Sequence, residues 1–203
     1  VNKDEKMLIA KAIMVKAKQK AKDNYYEYVK YTHPNFIELP HVRYIADKIN
    51  TAIKDRESML SGQIPLKNQY LMFSLAPRHG KSMTITETLP SYFMGKFKKS
   101  KTIMTGYSIT LADDFARANA KKIEDYNVFN TKVISNNQDR MILHNDSVCV
   151  KAGIMGGITG KGAELLIIDD PIKTQEEASS QTTRDKIWRE WQSSLSTRLE
   201  KAA

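Results

Sequence analysis

Apolar positions recur at helical spacing from residue 3 to residue 31, where Met7, Leu8, Ala10, Ile13, Met14 and Ala17 form one stripe and lysines fill the other side. His33-Pro34 ends that pattern. A second helix is predicted from about Pro40 to Leu60, with Val42, Ile45, Ala46, Ile49 and Ile53 on one face and Ser61-Gly62 as its stop. The rhythm then changes. "QYLMFSLA" (69–76) is a short apolar run that reads as a buried strand, followed by a loop and a helix from Lys81 to about Phe97 that Pro90 interrupts. "KTIMTGY" (101–107) predicts a strand and "ITLADDFARANAKKIEDY" (109–126) a helix. Residues 140–153 predict two strands turning at Asn145-Asp146. A glycine-rich stretch leads into "AELLIIDDP" (163–171), a strand running into two aspartates, and a helix over about 179–199 closes the chain. Strand, helix, strand, helix, strand in this order predicts an α/β fold with a mainly parallel sheet flanked by helices, preceded by an N-terminal helical subregion. The division is residues 1–62 for the helical region and 63–203 for the core.

Composition narrows the class. The 203 residues suffice for one well-cored domain, or one domain with an appendage. No apolar run reaches the length of a bilayer span, and the first residues lack a secretory apolar region, which predicts no membrane partner. The single cysteine, Cys149, lies between Val148 and Val150 and reads as a buried, inert thiol in a reducing compartment. The net charge of +9 favours a polyanionic partner, with nucleic acid ahead of a membrane surface. Eight lysines against four acids in the first 30 residues suit a solvated helix face, or contact with DNA phosphates or another subunit. Tyr25, Tyr26, Tyr28 and Tyr31 read as core packing, with stacking on bases as the alternative, and Trp188 and Trp191 read as core anchors.

The chemistry concentrates in two places. "APRHGKS" (76–82) lies between a predicted strand and a predicted helix. A phosphate site there needs inward N–H groups at a helix start, a lysine to reach the outer phosphates and a hydroxyl for Mg²⁺. His79, Gly80, Lys81, Ser82 and Met83 can supply the N–H groups, Lys81 the ammonium and Ser82 the hydroxyl. Pro77 fixes one dihedral of the turn, and Arg78 adds charge where the usual leading glycine is replaced by Leu75. "LLIIDD" then brings acids to a strand end. Asp169 is the candidate for the Mg²⁺ shell, and Asp170 for orienting or deprotonating an attacking water. The alternative for Asp170 before Pro171 is a turn residue. The strand at 101–107 fits the additional-strand (ASCE, RecA-like) class of P-loop NTPases. His33, His41, His79 and His144 show no metal-ligand spacing.

"LAPRHGKS", "GYSITLADDFAR", "GGITGKGAELLIIDDPIK" and "REWQSSLSTRLE" resemble the ATPase region of tailed-phage terminase large subunits, from about Phe36 to the end of the chain. That resemblance implies ATP and Mg²⁺ as cofactors. It implies Arg78 as the arginine of a variant Walker A loop, sensing or stabilising the γ-phosphate. Asp169 matches the Walker B acid, and Asp170 stands where many relatives carry a glutamate. Lys161 falls where relatives often carry an arginine that reaches a neighbouring subunit's ATP; a solvated loop lysine is the competing reading. Arg117 and Arg140 are weaker candidates, and Arg117 reads as a surface residue.

The implied partners are double-stranded DNA, the portal protein, the terminase small subunit and further copies in a ring on the capsid, in the host cytoplasm and transiently at the portal vertex. The family's nuclease has no counterpart in these residues. A helicase-like DNA remodeller and a non-hydrolysing nucleotide-binding module remain alternatives at this stage.

Overall fold

The computed structural model describes residues 2–158 and 160–203. Three helices come first, α1 (Lys3–Asp23), α2 (Tyr25–Thr32) and α3 (Pro40–Leu60). The expected single helix over 3–31 is broken at Asn24, whose backbone is extended and whose side chain accepts from the Glu27 N–H, capping α2. Only Ala21 of α1 is buried; the apolar stripe at Met7, Leu8, Ile13 and Met14 faces solvent. Local chemistry holds its start, where Asn2 and Glu5 form a reciprocal capping box. Pro40 occupies the first turn of α3, where its missing N–H costs nothing.

The sheet has five strands in the order β2-β3-β4-β1-β5: β1 (Lys101–Gly106), β2 (Val133–Asn136), β3 (Arg140–Leu143), β4 (Val148–Gly153) and β5 (Leu165–Ile168). β1 pairs parallel with β4 and with β5, but β2–β3 and β3–β4 are antiparallel, so the sheet is mixed rather than mainly parallel. The predicted turn at 145–146 accounts for this: Asp146 takes φ 65 and the Leu143 N–H donates to the Ser147 carbonyl, folding β3 back on β4. β2 was not expected, because four residues of alternating exposure carry little periodic signal.

The predicted strand at 69–76 does not form. Its one ladder-like bond is the Gln69 N–H to the Ala203 carbonyl, and Met72 is 96% exposed. An apolar run becomes a strand only where another strand offers a paired edge, and β5, at the sheet edge, pairs only with β1 among the named strands. Phe73 and Leu75 still turn inward against the helical core.

Alternation along the strands builds two cores. Met104, Cys149 and Met141 face α5 (Leu89–Lys96) and α6 (Ile109–Tyr126), while Ile167 and Leu165 meet α2 and α3. Tyr25 and Tyr28 lie edge-on to Tyr92 at 5.2 and 5.1 Å, so the tyrosine cluster is core, as expected. Ile103, Ala152 and Leu166 point the other way, against Leu195, Ile187 and Trp191. The last helix is interrupted. It comprises α7 (Gln175–Ser179) and α8 (Gln181–Glu190), then a wide turn over Trp191–Leu195. Trp191 packs as expected, but Trp188 is 58% exposed: residues three apart share a face of a regular helix, and α8 stops at Glu190, between the two. Among the described residues no helix is long and apolar enough to cross a membrane.

Candidate functional site

Residues 77–80 turn tightly into α4 (Lys81–Thr84), with Arg78 at φ 63 and Gly80 at φ 78. Gly80 suits the turn: its φ is left-handed, and a Cβ there would lie 3.3 Å from the Val42 side chain of α3, tighter than ordinary contact. α3 braces the loop again through His41, whose Nε2–H donates to the His79 carbonyl at 2.9 Å. From below, the Tyr25 hydroxyl donates to the Thr84 carbonyl. The helical subregion therefore shapes the loop, a role the sequence pattern did not reveal.

None of the N–H groups of Arg78, His79, Gly80, Lys81, Ser82 and Met83 donates to a carbonyl or side chain among the described residues. Left-handed residues alternating with others aim successive N–H groups to one side, and this forms an anion-binding concavity. Pro77 accepts from the His79 imidazole at 2.8 Å, which stiffens the turn. The Met83 side chain points into the core, so only its N–H is available at the loop.

β5 delivers the acids. Its end is fixed by two bonds to β1: Asp169 N–H to the Thr105 carbonyl at 2.9 Å, and Tyr107 N–H to the Asp170 carbonyl at 3.1 Å. Gly106 makes this approach possible, because a Cβ would sit 3.0 Å from the Asp169 carbonyl oxygen. Asp170 takes φ 44, which turns the chain out before Pro171.

The two motifs meet. The Lys81 ammonium lies 2.8 Å from Asp169 Oδ1 and 2.7 Å from Asp170 Oδ1. The Ser82 hydroxyl donates to Asp169 Oδ2 at 2.9 Å, and the Thr86 hydroxyl to the same oxygen at 2.7 Å. Burial raises the Asp169 pKa, but Lys81, Thr86 and Ser82 outweigh it and hold the carboxyl below the ordinary carboxylate range. Burial likewise opposes the Lys81 charge, and the two aspartates overcome it, raising its pKa. Thr86 was missed in the sequence. Its signal is its spacing, since in the helix predicted from Lys81 a residue four past Ser82 lies one turn along the same side.

The oxygen donors suit a hard divalent cation. Ser82 Oγ and Asp169 Oδ2, 2.9 Å apart, are the pair of oxygens that would hold such an ion. The described residues contain no cluster of three or more His, Cys, Asp or Glu side chains that could hold a metal. A cation here would draw its remaining ligands from water and phosphate.

Other candidates lie apart. Arg78 is exposed and pairs with no carboxylate among the described residues. Lys161 lines a cavity of about 470 Å³ with Tyr107, Gly153, Met155 and Gly157, a group that includes no residue of the 77–83 loop. Arg117 pairs with Asp113 at 2.8 Å on the surface of α6, as expected. Thr159, within the motif quoted above, lies outside the described residues.

The sequence matches the family described as terminase large subunit, T4likevirus-type, N-terminal, over residues 72–202. The chain belongs to that family. Its role is accordingly in phage DNA packaging. The matched span takes in both halves of the site, from the 77–83 loop to the acids at the end of β5, and runs on through α8. No curated protein matches the chain.

Proposed function

We propose that this terminase region is a Mg²⁺-dependent ATP hydrolase that drives double-stranded DNA into a procapsid, built on a P-loop core of the additional-strand type. The observation that carries the reading is the convergence of Lys81, Ser82, Asp169 and Asp170 beside a loop with six N–H groups that have no acceptor among the described residues. On this reading the loop N–H groups cradle the β- and γ-phosphates, and Lys81 leaves the acids to reach them. Ser82 and Asp169 hold Mg²⁺, which when bound neutralises charge on the phosphate oxygens. Asp170, half-free of the protein, orients the attacking water and receives its proton. The new bond joins the water oxygen to the γ-phosphorus, and the bond to the β–γ bridging oxygen breaks. Arg78, exposed and with no carboxylate partner among the described residues, is available to the γ-phosphate. Lys161, on the rim of its own cavity, serves a neighbouring copy's nucleotide in a ring. A lysine lacks the planar fork of an arginine and makes a weaker contact of this kind.

The further parts of this reading are a core over 63–203 with the 1–62 helices as its brace, and assembly with the portal protein and small subunit in the host cytoplasm. The net charge of +9 supports contact with DNA phosphates, so DNA affinity should fall steeply with salt. Phosphate-release kinetics test the core claim. Lys81→Ala should abolish turnover and weaken nucleotide binding, and Asp170→Asn should keep binding and lose turnover. Wild-type turnover in Lys81→Ala would reject the site, and turnover without DNA movement would favour a remodeller over a packaging motor.

A further inference from the structure

We propose that Thr86 is a positioning residue that fixes the Asp169 carboxylate for a divalent cation and so sets the cation requirement of nucleotide binding. The proposal rests on the nucleotide reading above.

Three donors reach Asp169: Lys81 on Oδ1, and Ser82 and Thr86 on Oδ2. The first two are the groups a triphosphate and its cation would recruit. Thr86 is different. It is 1% exposed and reaches Oδ2 from the interior at 2.7 Å. Its own backbone is anchored, because Asn119 of α6 donates from Nδ2 to the Thr86 carbonyl at 2.8 Å. Asn119 is fully buried and tied on both ends of its amide, donating to the Phe115 carbonyl at 2.8 Å and accepting from the Ser91 N–H at 2.8 Å. Thr86 therefore cannot follow Lys81 and Ser82 outward. A carboxylate oxygen has two lone pairs; Thr86 occupies one of Oδ2 from behind and leaves the one that faces Ser82. With Thr86 silent, no other described side chain holds the carboxylate once the other two donors turn to ligand.

Outer partners of metal ligands change metal affinity by about 10- to 100-fold when removed. The test is a Mg²⁺ titration of fluorescent ATP-analogue binding, with melting temperature measured in parallel. Thr86→Val keeps the volume and removes the donor. It is expected to raise the Mg²⁺ concentration for half-maximal binding by roughly tenfold or more, while binding in EDTA stays at the wild-type level. Thr86→Ser restores the donor without the methyl group and is expected to return the midpoint to within about twofold of wild type. A Thr86→Val midpoint equal to wild type would overturn the proposal. So would a Thr86→Ser midpoint as high as that of Thr86→Val, because packing rather than the hydroxyl would then be at work. Should the valine variant not fold, Thr86→Ala, which also removes the donor, is expected to give a rise of the same order, and an alanine midpoint equal to wild type would overturn the proposal. If wild-type protein itself shows no Mg²⁺-dependent binding, the nucleotide reading and this proposal fall together, whereas a normal wild type with an indifferent valine variant sinks only the role of Thr86.

Discussion

Truncating Lys81 to alanine should destabilise the nucleotide-free protein, and by an amount that depends almost wholly on one of its two partners. The ammonium touches Asp169, whose side chain is 6% exposed, and Asp170, at 57%. A charge-assisted bond to the first, in its dry setting, is worth roughly 1.5–3 kcal/mol. The pair with the second is solvated and contributes about 0–1 kcal/mol. Asp169 keeps its Ser82 and Thr86 donors after truncation, so the loss stays below the roughly 3–5 kcal/mol of a buried pair left with no compensation. The expectation is about 2–3 kcal/mol for Lys81→Ala and less than about 1 kcal/mol for Asp170→Ala. For a chain of this size each kcal/mol shifts the melting temperature by about 2–4 °C, giving drops of about 4–12 °C and less than about 4 °C. Calorimetry at neutral pH without nucleotide measures both. Adding about 0.5 M salt should shrink the Asp170 effect and leave most of the Lys81 effect, because screening acts on exposed charges. A Lys81→Ala protein that melts with the wild type, or an Asp170→Ala protein that loses as much, would refute the assignment of the energy to Asp169.

The Lys151 ammonium is fully buried on Asp113 at 2.5 Å and Asn136 at 2.9 Å, with the Asn137 carbonyl as a further acceptor, so Asp113→Asn should cost about 3–5 kcal/mol in urea unfolding. Burial raises the Asp113 pKa, but Lys151 and Arg117 bring it below the ordinary carboxylate range. The stabilisation is therefore complete above about pH 4 and lost as pH falls through the lowered native value, and the asparagine variant should lack that acid-dependent component. Arg56 is buried against Phe93 and Phe97, at 5.3 Å from each ring, and pairs with Glu164 at 2.5 Å. Arg56→Ala should lose about 3–5 kcal/mol, with only partial rescue by lysine, which lacks the planar fork whose two terminal nitrogens reach the Ala202 carbonyl and Glu164; full rescue would contradict this. Burial pushes the Cys149 thiol up to about 12, so native protein should resist a thiol reagent at pH 8 and react fully once unfolded; rapid native labelling would place the thiol elsewhere.

Short-range patterning determined a good deal of this protein. The helix over 109–126 follows from Ser108, the apolar periodicity and Asn127 at φ 41, all of which act within a turn of the residues concerned. The 140–153 hairpin and the two ends of α3 are local in the same sense. So was the nomination of Lys81, Ser82, Asp169 and Asp170, because each sits in a motif whose residues are neighbours in the chain. Pairing and burial were decided only in three dimensions. "QYLMFSLA" is as apolar as a strand, yet only the sheet decides which segment finds an edge, and it left this one unpaired. The stripe on α1 has the spacing of a core face, but no described element packs on its first turns to bury it. Asn119 anchors the Thr86 carbonyl only because α6 and the chain after α4 lie side by side, a proximity between residues tens of positions apart that no local pattern records. Sequence sets the dihedral preferences of a segment; which segments come to share an interior is a property of the whole chain's packing.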